Sequence, residues 1–166
     1  LELADSEEEY RESLEVIKRQ ASRMNDLINS LLFFTRLDQG TEPVNMELTN
    51  LSELTQAICI DQQMIKCNNI SLSANIESGI TTETDRNLYT RLLNTLCRNA
   101  YKYGKADGSI TVTLRRDGGC VLLSVADDGI GISRENLEKI WNRFYQVEPS
   151  RNEDAGEGGI GLGLSM

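Results

Sequence analysis

A seam of Tyr10, Leu14, Ile17, Ala21, Met24, Ile28, Leu31 and Thr35 recurs at alternating steps of four and three along the first part of the chain. That is the spacing of a helix laid lengthwise against other helices. Leu27, Leu32, Phe33 and Phe34 widen the stripe beyond what a two-stranded seam requires, so the pattern predicts one helix of a four-helix bundle. Gly40 stops this helix and Pro43 forbids its continuation, which sets a boundary at residues 39–43. Residues 1–40 therefore form a long bundle helix, and residues 41–166 belong to something else.

Past the boundary the period changes. "LSELTQAICIDQQMIK" reads as an amphipathic helix with Asn50 as its cap and Glu53 three residues on, the arrangement of a capping box. "ISLSANIE" alternates Ile70, Leu72, Ala74 and Ile76 with polar residues, as a half-buried strand does. "TDRNLYTRLLNTLCRNAYKYG" is a second helix that ends at Gly104. "SITVTLRR" and "CVLLSVAD" form two strands joined through Asp117, Gly118 and Gly119, a hairpin signal. The second of them is almost wholly apolar and is predicted to lie centrally in the sheet. The order helix, strand, helix, hairpin gives an α/β class fold, an α+β two-layer sandwich with helices on one face of a mixed sheet.

A chain of 166 residues with 39% hydrophobic side chains has room for one compact domain and an extra element. Its formal charge of −9 opposes a nucleic-acid surface, because phosphate backbones are gripped by clustered Lys and Arg. A polyphosphate ligand would have to be held by glycine-rich backbone and a metal. There is no run of 18 apolar residues and no signal peptide, so the expectation is a cytoplasmic piece without membrane contact of its own. Cys59, Cys67, Cys97 and Cys120 form no C-x-x-C pair, which argues for reduced thiols rather than zinc ligands. The chain has no histidine. Imidazole acid–base chemistry, Ser-His triads and zincin sites are excluded with it.

Three stretches carry candidate chemistry. "ADDGIGI" (126–132) follows the apolar strand and places a carboxylate at a pocket floor, with glycines that let backbone approach a flat ligand. An ordinary Asp-Gly turn has the same residues. "RNAYKYG" sets Asn99, Lys102 and Tyr103 on one helix face, at i, i+3 and i+4; a solvated helix edge is the plainer alternative. "GEGGIGLGLSM" (156–166) formally satisfies G-x-G-x-x-G through Gly156, Gly158 and Gly161. The dinucleotide fingerprint needs a strand before it and an acidic residue about 20 positions after it, and neither is present. No Lys-Ser or Lys-Thr pair follows for a Walker loop either, and composition alone leaves a flexible linker open.

Taken together the stretches resemble the histidine-kinase branch of the GHKL ATP-binding fold, shared in outline with DNA gyrase, Hsp90 and MutL. "NTLCRNAYKY" resembles the N box, "DDGIGI" the first glycine box, "IWNRFYQV" the F box and "GGIGLGLSM" the second glycine box, in the family's order and spacing. The resemblance implies a Bergerat-type sheet and a two-component sensor kinase that uses ATP and Mg²⁺. It implies that Asp127 accepts from the adenine amino group and that Gly129 and Gly131 let the loop pass the base. Asn99 would hold Mg²⁺, Lys102 would neutralise phosphate charge, and Tyr103 would cover the sugar or phosphate side. Asn99 and Lys102 are the catalytic pair on this reading. Ile132, Phe144, Gly159, Gly161, Leu162 and Gly163 complete the nucleotide contacts, the last four as part of an ATP lid whose helix start faces the phosphates.

The resemblance further implies that residues 1–40 are the second helix of a dimerisation hairpin and that the phosphoacceptor His lies outside the chain. It implies a catalytic domain in 41–166 that the family continues with further strands. The implied partners are this protein's own hairpin, a homodimer mate and a response regulator, in the cytosolic part of a membrane-bound sensor. Two positions depart from the family pattern. Thr95 stands where the N box often has a second Asn, and Gln146 stands where the F box often has Arg, with Arg143 or Arg151 as replacement cations. Those departures leave a nucleotide-binding pseudokinase and a purely structural dimerisation module as alternatives.

Overall fold

The computed structural model describes residues 7–41, 43–65, 68–147 and 161–165. The described residues pack as two compact units, one within Leu1–Glu42 and Ile140–Ser165, the other within Pro43–Lys139.

In the first unit, helix α1 runs from Glu7 to Asp38. Its end is a Schellman motif: Gly40 takes a positive φ of 62°, Thr41 N donates to Arg36 O at 2.9 Å and Gly40 N to Leu37 O at 3.0 Å. Left-handed backbone at that position is what glycine supplies at least cost. The heptad seam lies bare, with Tyr10, Leu14, Ile17, Met24, Ile28 and Leu31 each more than half exposed. Phe34, by contrast, is 3% exposed, and the Arg143 guanidinium lies 4.9 Å above the centre of its ring.

The second unit holds β1 (Met46–Asn50), α2 (Leu51–Gln63), β2 (Ser71–Ile76), β3 (Thr81–Asp85), α3 (Arg86–Tyr103), β4 (Ser109–Asp117) and β5 (Cys120–Asp127). Asn50 caps α2 as read from the sequence, its Oδ1 accepting from Glu53 N at 3.2 Å, and α2 ends at Gln63, short of Lys66. Asp85 caps α3 with Oδ1 accepting from Asn87 N and Leu88 N, while Oδ2 accepts from Asn45 N. These backbone donors, Leu88 foremost, hold the Asp85 carboxyl below its ordinary range.

Two sheets result. β1 and β3 pair antiparallel; β2, β4 and β5 form a mixed sheet in that order, parallel between β2 and β4 and antiparallel between β4 and β5. Ile110, Val112 and Leu114 alternate along β4 and are completely buried. They pack with Leu54, Ile58 and Cys59 of α2 and Leu93, Cys97 and Ala100 of α3, so the helices cover one face of the mixed sheet. Burial pushes the Cys97 thiol up to about 11, which keeps it a small inert hydrophobe. A hydrogen bond of 2.5 Å between Thr55 Oγ1 and Tyr89 Oη pairs these two hydroxyls inside the layer.

One strand sits elsewhere than expected. Among the described residues β5 is the edge of its sheet and β4 is central. The apolar run of β5 reports contact across its faces rather than lateral position: Leu123 and Val125 pack on the core, whereas Val121 and Leu122 are 37% and 39% exposed. The Gly118–Gly119 turn has positive φ at both residues, matching the twist of the hairpin it closes.

Candidate functional site

Register places the candidate carboxylate. Leu114 faces Leu123, Val112 faces Val125 and Ile110 faces Asp127 across the β4–β5 pair. Directly opposed residues share a sheet face and side chains alternate along a strand. Asp127 is therefore the last member of the series Leu123, Val125, Asp127 that faces the helices, a charge at the mouth of an apolar row.

The loop after Asp127 is fixed to the end of α3. Ile130 N donates to Tyr103 O at 3.1 Å, and Gly129 N donates to Asp127 Oδ1 at 3.0 Å. A Cβ on Gly129 would collide with the Tyr103 carbonyl oxygen and lie 2.8 Å from Asp127 Oδ1. Gly131 differs: it has open space around it and a positive φ of 68°. Both glycines were expected to let the loop pass a base. Within the chain, Gly129 is required for close approach of the loop to α3, and Gly131 for backbone conformation.

α3 delivers the polar face. Asn99 and Lys102 are half-buried and Tyr103 is 43% exposed, on the last turn and a half before the carbonyl that holds the loop. Lys102 Nζ lies 5.0 Å over the Tyr103 ring, a contact that steers the ammonium without neutralising it. Asn94 is turned towards α2, where its Oδ1 accepts from Gln62 Nε2 at 3.0 Å, and Thr95 is a core residue at 6% exposed. Ile132 follows the loop and is 45% exposed.

The other sequence-predicted residues belong to the first unit. Phe144 is 60% exposed with a positive φ of 63°, and its N–H donates to Gly161 O at 2.8 Å. A Cβ on Gly161 would come within 2.7 Å of the Tyr145 carbonyl oxygen, so the second glycine box needs glycine here to lie against the F box. Leu162 is buried and Gly163 half-buried. Gly159 and Arg151 lie outside the described residues.

Sequence reasoning missed Asp128. Its Oδ1 accepts from Ser109 N at 3.0 Å and its Oδ2 from Ser109 Oγ at 3.2 Å, with Lys105 Nζ at 3.4 Å. The Ser109 amide, foremost, and Lys105 hold this carboxyl below its ordinary range. The signal was available: two adjacent aspartates at a strand end point in different directions, so one of them turns to the scaffold.

Among the described residues no cluster of three or more His, Cys, Asp or Glu side chains is arranged to hold a metal. The Asn99 amide oxygen is a hard donor of the kind Mg²⁺ takes, and an ion bridging polyphosphate needs only one or two protein ligands. The residues fit such an ion.

Comparison with known proteins decides the family. The model for histidine kinase-, DNA gyrase B- and HSP90-like ATPases matches residues 84–166, half of the chain. The chain belongs to this family. The His Kinase A (phospho-acceptor) domain model matches residues 1–40, which places the chain among the sensor histidine kinases. The sensor histidine kinase RppB of Synechocystis sp. is 31% identical over 161 residues, covering 95% of this chain and 35% of the relative. The chain spans between 25% and 37% of the length of such curated relatives. The catalytic domain of the histidine kinase ThkA superposes with a TM-score of 0.60 at 27% identity, covering 73% of this chain and 76% of that one. ThkA in complex with the response regulator protein TrrA gives 0.68 at 23% identity, covering 86% and 42%. Full-length ShkA in complex with AMPPNP gives 0.76 at 22% identity, covering 95% of this chain and 32% of that one, a likeness of fold. Among the described residues no helix is long and apolar enough to cross a membrane.

Proposed function

We propose that this chain binds Mg-ATP where α3 and β5 end, and that it transfers the γ-phosphoryl group to a histidine outside these 166 residues. The observation that carries the reading is Asp127: a carboxylate closing an apolar inward-facing row, on a loop bonded to the same turn of α3 that bears Asn99, Lys102 and Tyr103. Asp127 Oδ2 is the acceptor for the adenine 6-amino group, Oδ1 being shared with Gly129 N. Lys102 stabilises phosphate charge and Tyr103 covers the sugar or phosphate side. Asn99 would hold Mg²⁺, which when bound neutralises charge on the β- and γ-phosphate oxygens. Gly159, Gly161, Leu162 and Gly163 are proposed as the lid, supported by the match of the ATPase family over residues 84–166.

In the transfer, a nitrogen of the acceptor imidazole forms the N–P bond as the bond to the bridging oxygen breaks and ADP departs. The residues of this chain contribute position and charge rather than covalent chemistry. ATP is the donor indicated by the ATPase family and by ShkA, a fold neighbour solved with AMPPNP. A response regulator is the partner indicated by ThkA, solved with TrrA. Residues 1–40 act as a bundle helix of a dimerisation hairpin, on the cytoplasmic side of a sensor. The pseudokinase reading gains nothing from Thr95, which fills a core position.

Transfer is tested by incubating the chain with γ-labelled ATP and a separate protein that carries a complete dimerisation hairpin. The expected result is acid-labile, base-stable label on the hairpin alone. Acid-stable label on the chain itself, or no label despite ATP binding and docking of the hairpin, contradicts the proposal.

A further inference from the structure

The β4–β5 ladder ends at the pair Ile110 and Asp127. The next pair would be Ser109 and Asp128, and there the backbone bond is replaced by a side chain: Asp128 Oδ1 accepts from Ser109 N and Oδ2 from Ser109 Oγ. Lys105 closes the arrangement from the α3–β4 loop at 3.4 Å. Gly108 is part of the same fit, since a Cβ there would lie 2.6 Å from Asp128 Oδ1 and 2.7 Å from the Lys105 carbonyl oxygen. On the far side of Asp127 the loop is held by the Ile130–Tyr103 hydrogen bond. Asp127 thus sits between two anchors, and Asp128 is the one next to it.

We infer that Asp128 is a positioning residue for nucleotide selection: it extends the strand pairing by one residue through its carboxylate and so fixes the direction of the Asp127 side chain. This rests on the reading of Asp127 as the adenine acceptor. The Asp128 and Lys105 side chains are 39% and 61% exposed, so their ion pair contributes little to stability. Water replaces a lost partner at such a site, but it does not hold the loop in one place. Removing Asp128 therefore separates geometry from folding.

The test is titration of the full chain with ATP and with GTP, paired with thermal unfolding. Asp128→Ala is expected to melt within a few degrees of the parent while its preference for ATP over GTP falls about tenfold. Asp128→Asn, whose amide oxygen still accepts from Ser109 N, is expected to keep the preference within about threefold of the parent. An unchanged preference in Asp128→Ala overturns the inference. So does an equal fall in both variants, which would make the charge itself the operative feature, and so does loss of the fold in Asp128→Ala, which would make the role structural. A parent chain without ATP preference defeats the adenine reading and this inference together; a parent preference kept by Asp128→Ala defeats the positioning role alone.

Discussion

Gly129→Ala separates a glycine needed by the scaffold from one needed by a ligand. The added methyl would overlap the Tyr103 carbonyl oxygen and approach its carbonyl carbon and Asp127 Oδ1 to 2.8 Å. Both Tyr103 atoms are backbone at the end of α3, so no flexible side chain can yield. Ordinary contact is reached only if the loop withdraws by about 1 Å, enough to break the Ile130–Tyr103 hydrogen bond and to turn Asp127. Overpacking and the lost bond together cost about 2–4 kcal/mol, a fall in melting temperature of roughly 5–10 °C for a chain of this length. Gly79→Ala is the matched control: its φ of 71° makes alanine strained, but the space around it is open. That variant should lose only about 1–2 kcal/mol and bind ATP as the parent does. Differential scanning calorimetry and ATP titration on the three proteins decide the matter. A Gly129→Ala chain that melts and binds ATP like the parent would refute the packing argument.

Asp127→Asn should weaken ATP binding by about 1–3 kcal/mol and GTP binding far less, read by titration calorimetry; equal effects on both nucleotides would contradict the role of the carboxylate. Asn50→Ala removes the α2 cap and should cost about 1 kcal/mol of stability in thermal melts, with nucleotide affinity unchanged. Asp85 has a folded pKa below its unfolded value of about 3.9. Its contribution is therefore complete above that value and is lost as pH falls through the folded one. Stability followed below about pH 4 should fall less steeply in Asp85→Asn than in the parent. Ile28 and Leu31 are 54% and 56% exposed on the seam of α1, and replacing both with Glu should shift sedimentation towards monomer while ATP binding persists.

The elements legible in the sequence are those whose patterning is itself a consequence of burial. α2 and α3 carry their apolar residues at helical spacing, Asn50 caps as its position predicts, and Asp117, Gly118 and Gly119 make the hairpin. β1 and β3 escaped notice because they are five residues each and largely polar, "MELTN" and "TTETD", so no alternation marks them. β5 reads as central because a run of apolar residues records what covers a strand's faces and says nothing of which strands flank it. At the site, the aspartates and glycines stand out as residue types, yet their division of labour depends on register. Only the pairing of Ile110 with Asp127 sends one carboxylate towards the helices and the next to Ser109. Arg143, weighed from sequence as a cation for the terminal phosphate, stacks on Phe34, a contact between residues more than 100 positions apart in the chain that no local pattern announces.

Adenine recognition by Asp127 at the junction of β5 and α3 is open to direct test in a crystal structure of the chain with a non-hydrolysable Mg-ATP analogue. The adenine amino nitrogen is expected within about 2.7–3.2 Å of an Asp127 carboxylate oxygen, with Asp128 still bonded to Ser109 and the metal touching Asn99. A base bound elsewhere, or an amino group directed at Asp128 while Asp127 faces solvent, would contradict it.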